Sequence, residues 1–251
     1  MHLNDRELFY INGFMKIEIE KQSSMNRIIE ILKDIKSSKI KENYFLKEKY
    51  PGTLDLRPSV YDYDNCFLNF LEENNIIDRL KKLTGASYLP YHVQIRYSTQ
   101  SSNRSNVSYM DWHRDAYIMN DKILGRFPPP IKLMIYPSLS DDEDDMPRLK
   151  IIPNSHIIQM HGDQQYYSEY GAPINNIDRQ LIRTMNQHVI TTSNSSFTLF
   201  NTAMLHGASR NNNQKEFRVI YSLILEEQFE DVKDDLHLNT RDTYLSNLKN
   251  G

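Results

Sequence analysis

Six short runs rich in β-branched and aromatic residues lie between residues 91 and 225: YHVQIRYS, KLMIYPSL, RLKIIP, HVITT, SFTLFNT and FRVIYSLIL, with turn-forming clusters between them. Runs of this length predict strands, and many such strands in succession predict a sandwich or barrel. A double-sheet jelly roll is the natural closure for the set. Three stretches break the series: SSNRSNVS, the acidic run Asp141 to Asp145, and residues 157–187, where a short helix is expected. Charge runs are usually solvated, so the acidic run predicts a surface loop rather than a metal site.

The first 87 residues have a different period. RELFYINGFMKIEIE predicts a short helix or turn, a break at Asn12-Gly13, then an alternating strand. Met25 to Ile35 repeats apolar residues at helical spacing, with Ser23 or Ser24 placed to cap its start. Residues 36–60 are lysine-rich and contain Pro51-Gly52 and Pro58, which predicts a loop able to order over a pocket. Asn65 to Leu83 predicts a helix presenting Phe67, Phe70, Leu71, Ile76, Ile77 and Leu80. LEEQFEDVKDDL near the end predicts a solvated tail or helix.

The expected fold class is therefore α+β, mainly β: a cupin-like jelly roll, or double-stranded β-helix, with N-terminal helices packed on one sheet. A chain of 251 residues suits one domain. Its expected parts are a mostly helical flank (1–87), a jelly-roll core (88–226) and a C-terminal tail or helix (227–251).

Net charge is only -3, so no global basic field points to nucleic acid or a membrane surface. Asp5 and Glu7 precede any apolar stretch, unlike a secretory signal, and no run reaches the roughly 18 apolar residues of a membrane span. Cys66 is the single cysteine, which excludes an intrachain disulfide and a cysteine zinc cage and fits a reducing, cytoplasmic setting. With eight histidines available, any transition-metal site must use imidazole and carboxylate ligands.

One segment offers both. YMDWHRDAY contains His113-Arg114-Asp115, and in an extended strand residues i and i+2 share a face, so His113 and Asp115 can converge on one ion. His206, just after the strand SFTLFNT, supplies a third ligand. Two histidines and a carboxylate make the facial set that suits Fe(II) and leaves positions open for a bidentate 2-oxo acid and O₂. A structural zinc site would instead close its shell. Twelve residues on, Arg218 opens FRVIYSLIL, where alternation puts Arg218, Ile220, Ser222 and Ile224 on one face. An inward arginine needs a carboxylate partner, and the distal carboxylate of 2-oxoglutarate fits its two-pronged donor geometry.

Other residues near these motifs keep two readings. Tyr117 shares the parity of His113 and Asp115, so it lines either a substrate mouth or the core. Lys132 is either a solvated strand lysine or an anion-binding pocket residue. Trp112, the only tryptophan, points the opposite way from His113 and is expected to pack on the second sheet or a helix. His156 and His161 are expected to be structural, because the facial set is already filled.

The chain resembles the phytanoyl-CoA dioxygenase family of Fe(II)/2-oxoglutarate-dependent oxygenases over most of its length. FYINGFMKI is similar to the family's Asn-Gly-Phe opening, YHVQIRYS to the strand before the metal motif, and WHRDAY to that motif. MPRLKIIPNSH resembles a strand ending in Pro-Gly-Ser-His, with Asn154 in the glycine position. LFNTAMLHGASRNNNQKEFR resembles the block of the distal histidine and cosubstrate arginine. The resemblance implies iron ligands His113, Asp115 and His206, with Arg218 binding 2-oxoglutarate. Gln94 and Arg96 fall where relatives touch cosubstrate or substrate, Gln94 being assigned to the cosubstrate and Arg96, with Tyr117 and Lys132, to the substrate. Relatives often carry a serine two residues after the distal histidine; here Ala208 stands there and Ser209 follows.

The implied activity is hydroxylation of a C–H bond in a small polar or anionic metabolite, using Fe(II), 2-oxoglutarate and O₂. Two alternatives stand beside it. One is a non-redox cupin-type metalloenzyme, an isomerase or hydrolase, which has no need of Arg218 as an acid anchor. The other is an inactive binding protein on the same fold.

Overall fold

A computed structural model describes residues 3–37, 46–50, 53–56, 60–98, 112–115, 130–139, 149–158, 166–167, 173–174, 176–208, 216–232 and 235–250. The chain mixes helices with antiparallel sheets. The acidic run 141–145, Tyr117, His161 and Ser209 lie outside the described residues.

Helix α1 (Asp5–Asn12) begins with a capping box: the Asn4 side chain accepts the Glu7 N–H at 3.0 Å, and the Glu7 carboxylate accepts the Asn4 N–H at 2.8 Å. Those bonds satisfy donors that a helix start leaves open. It ends at Gly13, whose φ of +79° suits a residue without a Cβ. A Cβ there would also run into the side chains of Met204 and His156. Strand β1 (Phe14–Glu18) follows, and the Gly13 carbonyl accepts the Asn201 N–H at 2.9 Å. The N-terminal turn is thereby seated on the segment that leads to His206.

Helix α2 (Ser23–Lys36) starts earlier than its apolar period suggested. Neither serine caps it: Gln22 is the N-cap, both serines lie inside the helix, and the Ser24 N–H donates to the Glu73 carboxylate at 3.0 Å. The segment expected to be a loop holds two strands, β2 (Leu46–Tyr50) and β3 (Thr53–Leu56), paired antiparallel. LKEKY and TLDL alternate around Pro51-Gly52, a hairpin signal that the lysine content masked.

After α3 (Val60–Tyr63), the single helix expected over 65–83 is two, α4 (Cys66–Glu73) and α5 (Ile76–Thr84). The break is at Asn75, with φ +52°, a conformation asparagine tolerates better than most residues. Its neighbour Asn74 is buried and accepts the Glu20 and Lys21 N–H groups at 2.8 and 3.1 Å, so the break pins the exit of β1.

The remaining elements are β4 (Tyr88–Ser98), β5 (Ile131–Ile135), β6 (Leu149–Ile151), β7 (Tyr166–Tyr167), β8 (Pro173–Ile174), α6 (Asn176–Thr184), β9 (His188–Ile190), β10 (Ser196–Asn201), β11 (His206–Ala208), β12 (Glu216–Leu225) and α7 (Asp235–Asn250). Among the described residues, one sheet runs β1-β10-β5-β12-β4-β3-β2, a second runs β11-β6-β9, and β7 pairs with β8. Among the described residues every strand pairing is antiparallel.

Alternation along β12 sorts its side chains. Phe217, Val219, Tyr221 and Leu223 join the larger core with Phe70, Phe67 and Leu71 of α4 and Ile28 and Leu32 of α2. Phe70 stacks on Tyr221 and meets Phe197 edge-on, each at 5.9 Å between ring centroids. The helices thus cover one face of the large sheet. Ile220 points the other way, into a second core where Met134 and Phe200 of the large sheet meet Leu149, Ile151 and Ile190 of the small one. The two sheets therefore pack on each other. Ile224, expected to share the face of Ile220, belongs to the helix-side core, beyond a register shift between Ser222 and Leu223.

Candidate metal centre

The segment Trp112–Asp115 meets the Thr202–His206 segment through one antiparallel bridge, His113 with His206, and turns into a 3-10 conformation at Asp115 instead of continuing as the expected strand. The His113 N–H donates to the His206 carbonyl at 2.9 Å, the His206 N–H returns to the His113 carbonyl at 3.0 Å, and the Asp115 N–H donates to the Thr202 carbonyl at 3.0 Å. Main-chain pairing alone therefore fixes the two ligand-bearing segments side by side. Held by those bonds, the side chains of His113 and Asp115 join that of His206: one donor atom from each lies within 4.8 Å of the others. His206 Nε2 is 3.0 Å from Asp115 Oδ2, and His113 Nε2 is 3.7 Å from Asp115 Oδ1.

The imidazole of His206 is held in a defined orientation. Its Nδ1 is 3.0 Å from the Met204 carbonyl, which can only accept, so Nδ1–H donates there and Nε2 is the nitrogen turned toward Asp115. Metal-binding histidines are commonly tied down through their other nitrogen in this way. The Phe200 ring lies 4.8 Å from that of His206, which closes one side of the site with apolar surface. Burial graded from His206 (3%) through Asp115 (10%) to His113 (21%) leaves His113 the side nearest solvent.

Lys132 is not a solvated strand lysine. It stands opposite both Ser222 of β12 and Phe200 of β10, and its Nζ is 2.6 Å from Asp115 Oδ2. Burial by itself would raise the Asp115 carboxyl; the Lys132 ammonium, and after it His206 and His113, hold it well below the usual carboxylate range. The carboxylate is accordingly ionised, as a metal ligand must be.

Arg218 is 5% exposed on the face that looks between the sheets, directly opposite Arg96 of β4. Gln94 stands opposite Ile220, and His92 opposite Ser222, so β4 and β12 present a polar and basic row to the same interior. Trp112 packs against Ile152, Leu205 and residues of α6, with Lys150 Nζ 4.8 Å from its ring centroid, which matches the expectation that it faces away from His113. His156 is outside the ligand group among the described residues; its Nε2–H donates to the Tyr10 carbonyl at 2.9 Å. Asn154 adopts φ +67°, the conformation a glycine would take most easily at that position.

Arg114 was not singled out from the sequence. It is 1% exposed, and its Nη1 donates to the carbonyls of Ser155, at 2.7 Å, and Ala203. The signal was its place between two candidate ligands, where alternation turns it away from them into the protein.

No protein-family model and no curated protein matches the chain by sequence. Solved structures do. EctD from S. alaskensis, solved with 2-oxoglutarate and 5-hydroxyectoine, superposes with a TM-score of 0.64 at 12% identity, over 90% of this chain and 77% of that one. The epimerase SnoN, in complex with Fe3+, alpha ketoglutarate and nogalamycin RO, gives 0.60 at 10% identity over 86% and 80%. The non-heme alpha ketoglutarate dependent carbocyclase SnoK from nogalamycin biosynthesis gives 0.57 at 12% identity over 88% and 84%. The chain shares the fold of these proteins, which were solved with iron or 2-oxoglutarate or are described as alpha ketoglutarate dependent. Identities this low establish the fold and leave the chemistry to the residues. Among the described residues no helix is long and apolar enough to cross a membrane.

Proposed function

We propose that this protein is an Fe(II)/2-oxoglutarate-dependent oxygenase of the phytanoyl-CoA dioxygenase type, built on a jelly-roll core whose walls are the two packed sheets. The observation that carries the reading is the convergence of His113, Asp115 and His206, with His206 Nε2 aimed inward by the Met204 carbonyl. An N,N,O donor set of this kind fits ferrous iron and leaves positions open, and the closed cysteine cage that suits structural zinc is absent from it.

In this reading His113, Asp115 and His206 hold the metal, which when bound supplies the redox chemistry between the 2-oxo acid and dioxygen. The chain's residues bind and orient. Arg218, buried and two-pronged, takes the distal carboxylate of 2-oxoglutarate, and Gln94 and Ser209 complete the cosubstrate pocket. Arg96, Tyr117 and Lys132 border the substrate space. The basic row on β4, β12 and β5 favours a small polar or anionic substrate, which would enter from the His113 side, and Phe200 excludes water behind the site. Hydroxylation of a C–H bond is the proposed outcome.

Incubating the protein anaerobically with Fe(II) and 2-oxoglutarate, then admitting O₂ in the presence of a panel of small carboxylates and phosphates, tests this reading. Succinate formation that requires both iron and O₂, with a product heavier by one oxygen atom, is expected. Metal-dependent turnover of a substrate without succinate would assign the site to non-redox chemistry, and an oxidised product lacking the added oxygen would assign it to desaturation or rearrangement.

Lys132 makes a separate prediction. Its ammonium competes with a divalent ion for Asp115, so Lys132→Met is expected to tighten Co(II) binding by about tenfold, or ~1.4 kcal/mol. Isothermal titration on the two proteins measures this; weaker binding in the variant would show that the lysine orients the carboxylate instead of opposing the ion.

A further inference from the structure

Three chain segments meet behind the candidate metal centre. One is Trp112–Asp115, which carries two of the proposed ligands. The second is the turn Asn201–Leu205 that delivers His206, and the third is the stretch 152–155 after β6. Short bonds already connect the last two: the Leu205 N–H donates to Ser155 Oγ at 2.9 Å, Ser155 Oγ–H donates to the Ile152 carbonyl at 2.7 Å, and the Ile152 N–H donates to the Leu205 carbonyl at 3.0 Å. Arg114 enters this junction from the first segment. Its side chain is among the largest fully buried in the protein, and one Nη1 reaches the carbonyls of both Ser155 and Ala203.

We propose that Arg114 is a positioning residue for the metal centre, clamping the Ala203 and Ser155 carbonyls so that the 201–205 turn aims His206 at His113 and Asp115. The inference rests on the metal-binding reading given above and deepens it. Its physical basis is that Ala203 immediately precedes Met204, whose carbonyl orients the His206 ring. A guanidinium is suited to the task because the two N–H bonds of Nη1 are fixed in its plane, so two carbonyls from different segments are held at fixed separation by one nitrogen. A turn fixed in this way keeps the third ligand in place before the ion arrives, so metal binding does not also have to order it. Arg114 is not itself a ligand: a guanidinium has no lone pair to offer, and its Nη1 is turned to the Ser155 and Ala203 carbonyls.

Co(II) serves as the probe, titrated anaerobically into the full chain while following quenching of Trp112, the sole tryptophan and the neighbour of His113. Arg114→Met keeps the apolar stem and removes the fork, and is expected to weaken Co(II) binding by about 10–100-fold, the range for loss of groups that orient metal ligands. Arg114→Lys can still reach one carbonyl and should fall between the variant and the wild type. The ligand-field absorption of bound Co(II) should change in both variants, reporting altered ligation by His206. Leu71→Ala, a cavity in the helix-side core away from the site, is the control: it should lower the melting temperature with the Co(II) affinity and spectrum of the wild type. If the wild type takes up no Co(II), the metal reading falls and the inference with it. If the wild type binds and both Arg114 variants match it in affinity and spectrum, the inference alone is overturned. Loss of folding in both Arg114 variants while Leu71→Ala stays folded would likewise overturn it, by making Arg114 a stability residue.

Discussion

His206→Ala is expected to weaken divalent-metal binding by more than about two orders of magnitude, because groups that merely orient a ligand already carry 10–100-fold. The imidazole is 3% exposed, its Nδ1 is tied to the Met204 carbonyl, and its Nε2 sits 3.0 Å from Asp115. The main-chain bonds that pair His206 with His113 need no side chain, so the fold around the site should persist in the variant. A Co(II) or Fe(II) titration combined with a thermal melt separates the two effects. Wild-type metal affinity in the variant would show that the three side chains do not share an ion.

The second large effect belongs to Arg218→Met. Methionine preserves most of the apolar stem and removes the charged fork, and truncating one partner of a buried, hydrogen-bonded charge pair costs about 2–5 kcal/mol. At about 3 kcal/mol the apparent KM for 2-oxoglutarate should rise by roughly 150-fold. Metal affinity in the absence of cosubstrate should be unchanged, because a guanidinium has no lone pair with which to hold a cation. Initial rates of succinate formation across a 2-oxoglutarate series measure the first quantity, and the Co(II) titration measures the second. An unchanged KM would remove Arg218 from the cosubstrate site and turn attention to Arg96, its neighbour across the β4–β12 pair.

The sequence joined His113 to Asp115 through the two-residue repeat of an extended chain. In the structure they converge without a strand, His113 bridging His206 and Asp115 turning into a 3-10 conformation bonded to Thr202. The same repeat places Arg218, Ile220 and Ser222 on one face of β12, and the second core formed around Ile220 shows that this face looks between the sheets. All six runs expected to be strands contain one, and the Asn12-Gly13 break falls where α1 gives way to β1.

Local signals failed where a distant partner outweighed them. Serines ahead of an apolar helix usually cap it, yet Gln22 takes that place here, and Glu73, from α4, accepts the Ser24 N–H instead. The apolar period across 65–83 is continuous, but Asn74 is drawn inward to satisfy two backbone donors at the exit of β1, and the helix breaks beside it. In LKEKYPGTLDL the lysines suggested a loop, while pairing of β3 with β4 makes the segment an edge hairpin. Each miss is a hydrogen bond to residues far along the chain, which no local window contains.

Outside the 46–56 hairpin and the helix break at Asn75, then, the sequence by itself determined the period of the chain: which stretches are helical, which are extended, and which side chains in β12 up to Ser222 share a face. Local sterics and alternation decide those properties over a few residues. Only the tertiary structure decided that His206 meets His113 through a reciprocal pair of main-chain bonds, that Lys132 lies against Asp115, and that Arg114 joins three segments behind them. Those contacts link positions up to 93 residues apart in the case of His113 and His206, and they form only when burial of the two cores brings the sheets together.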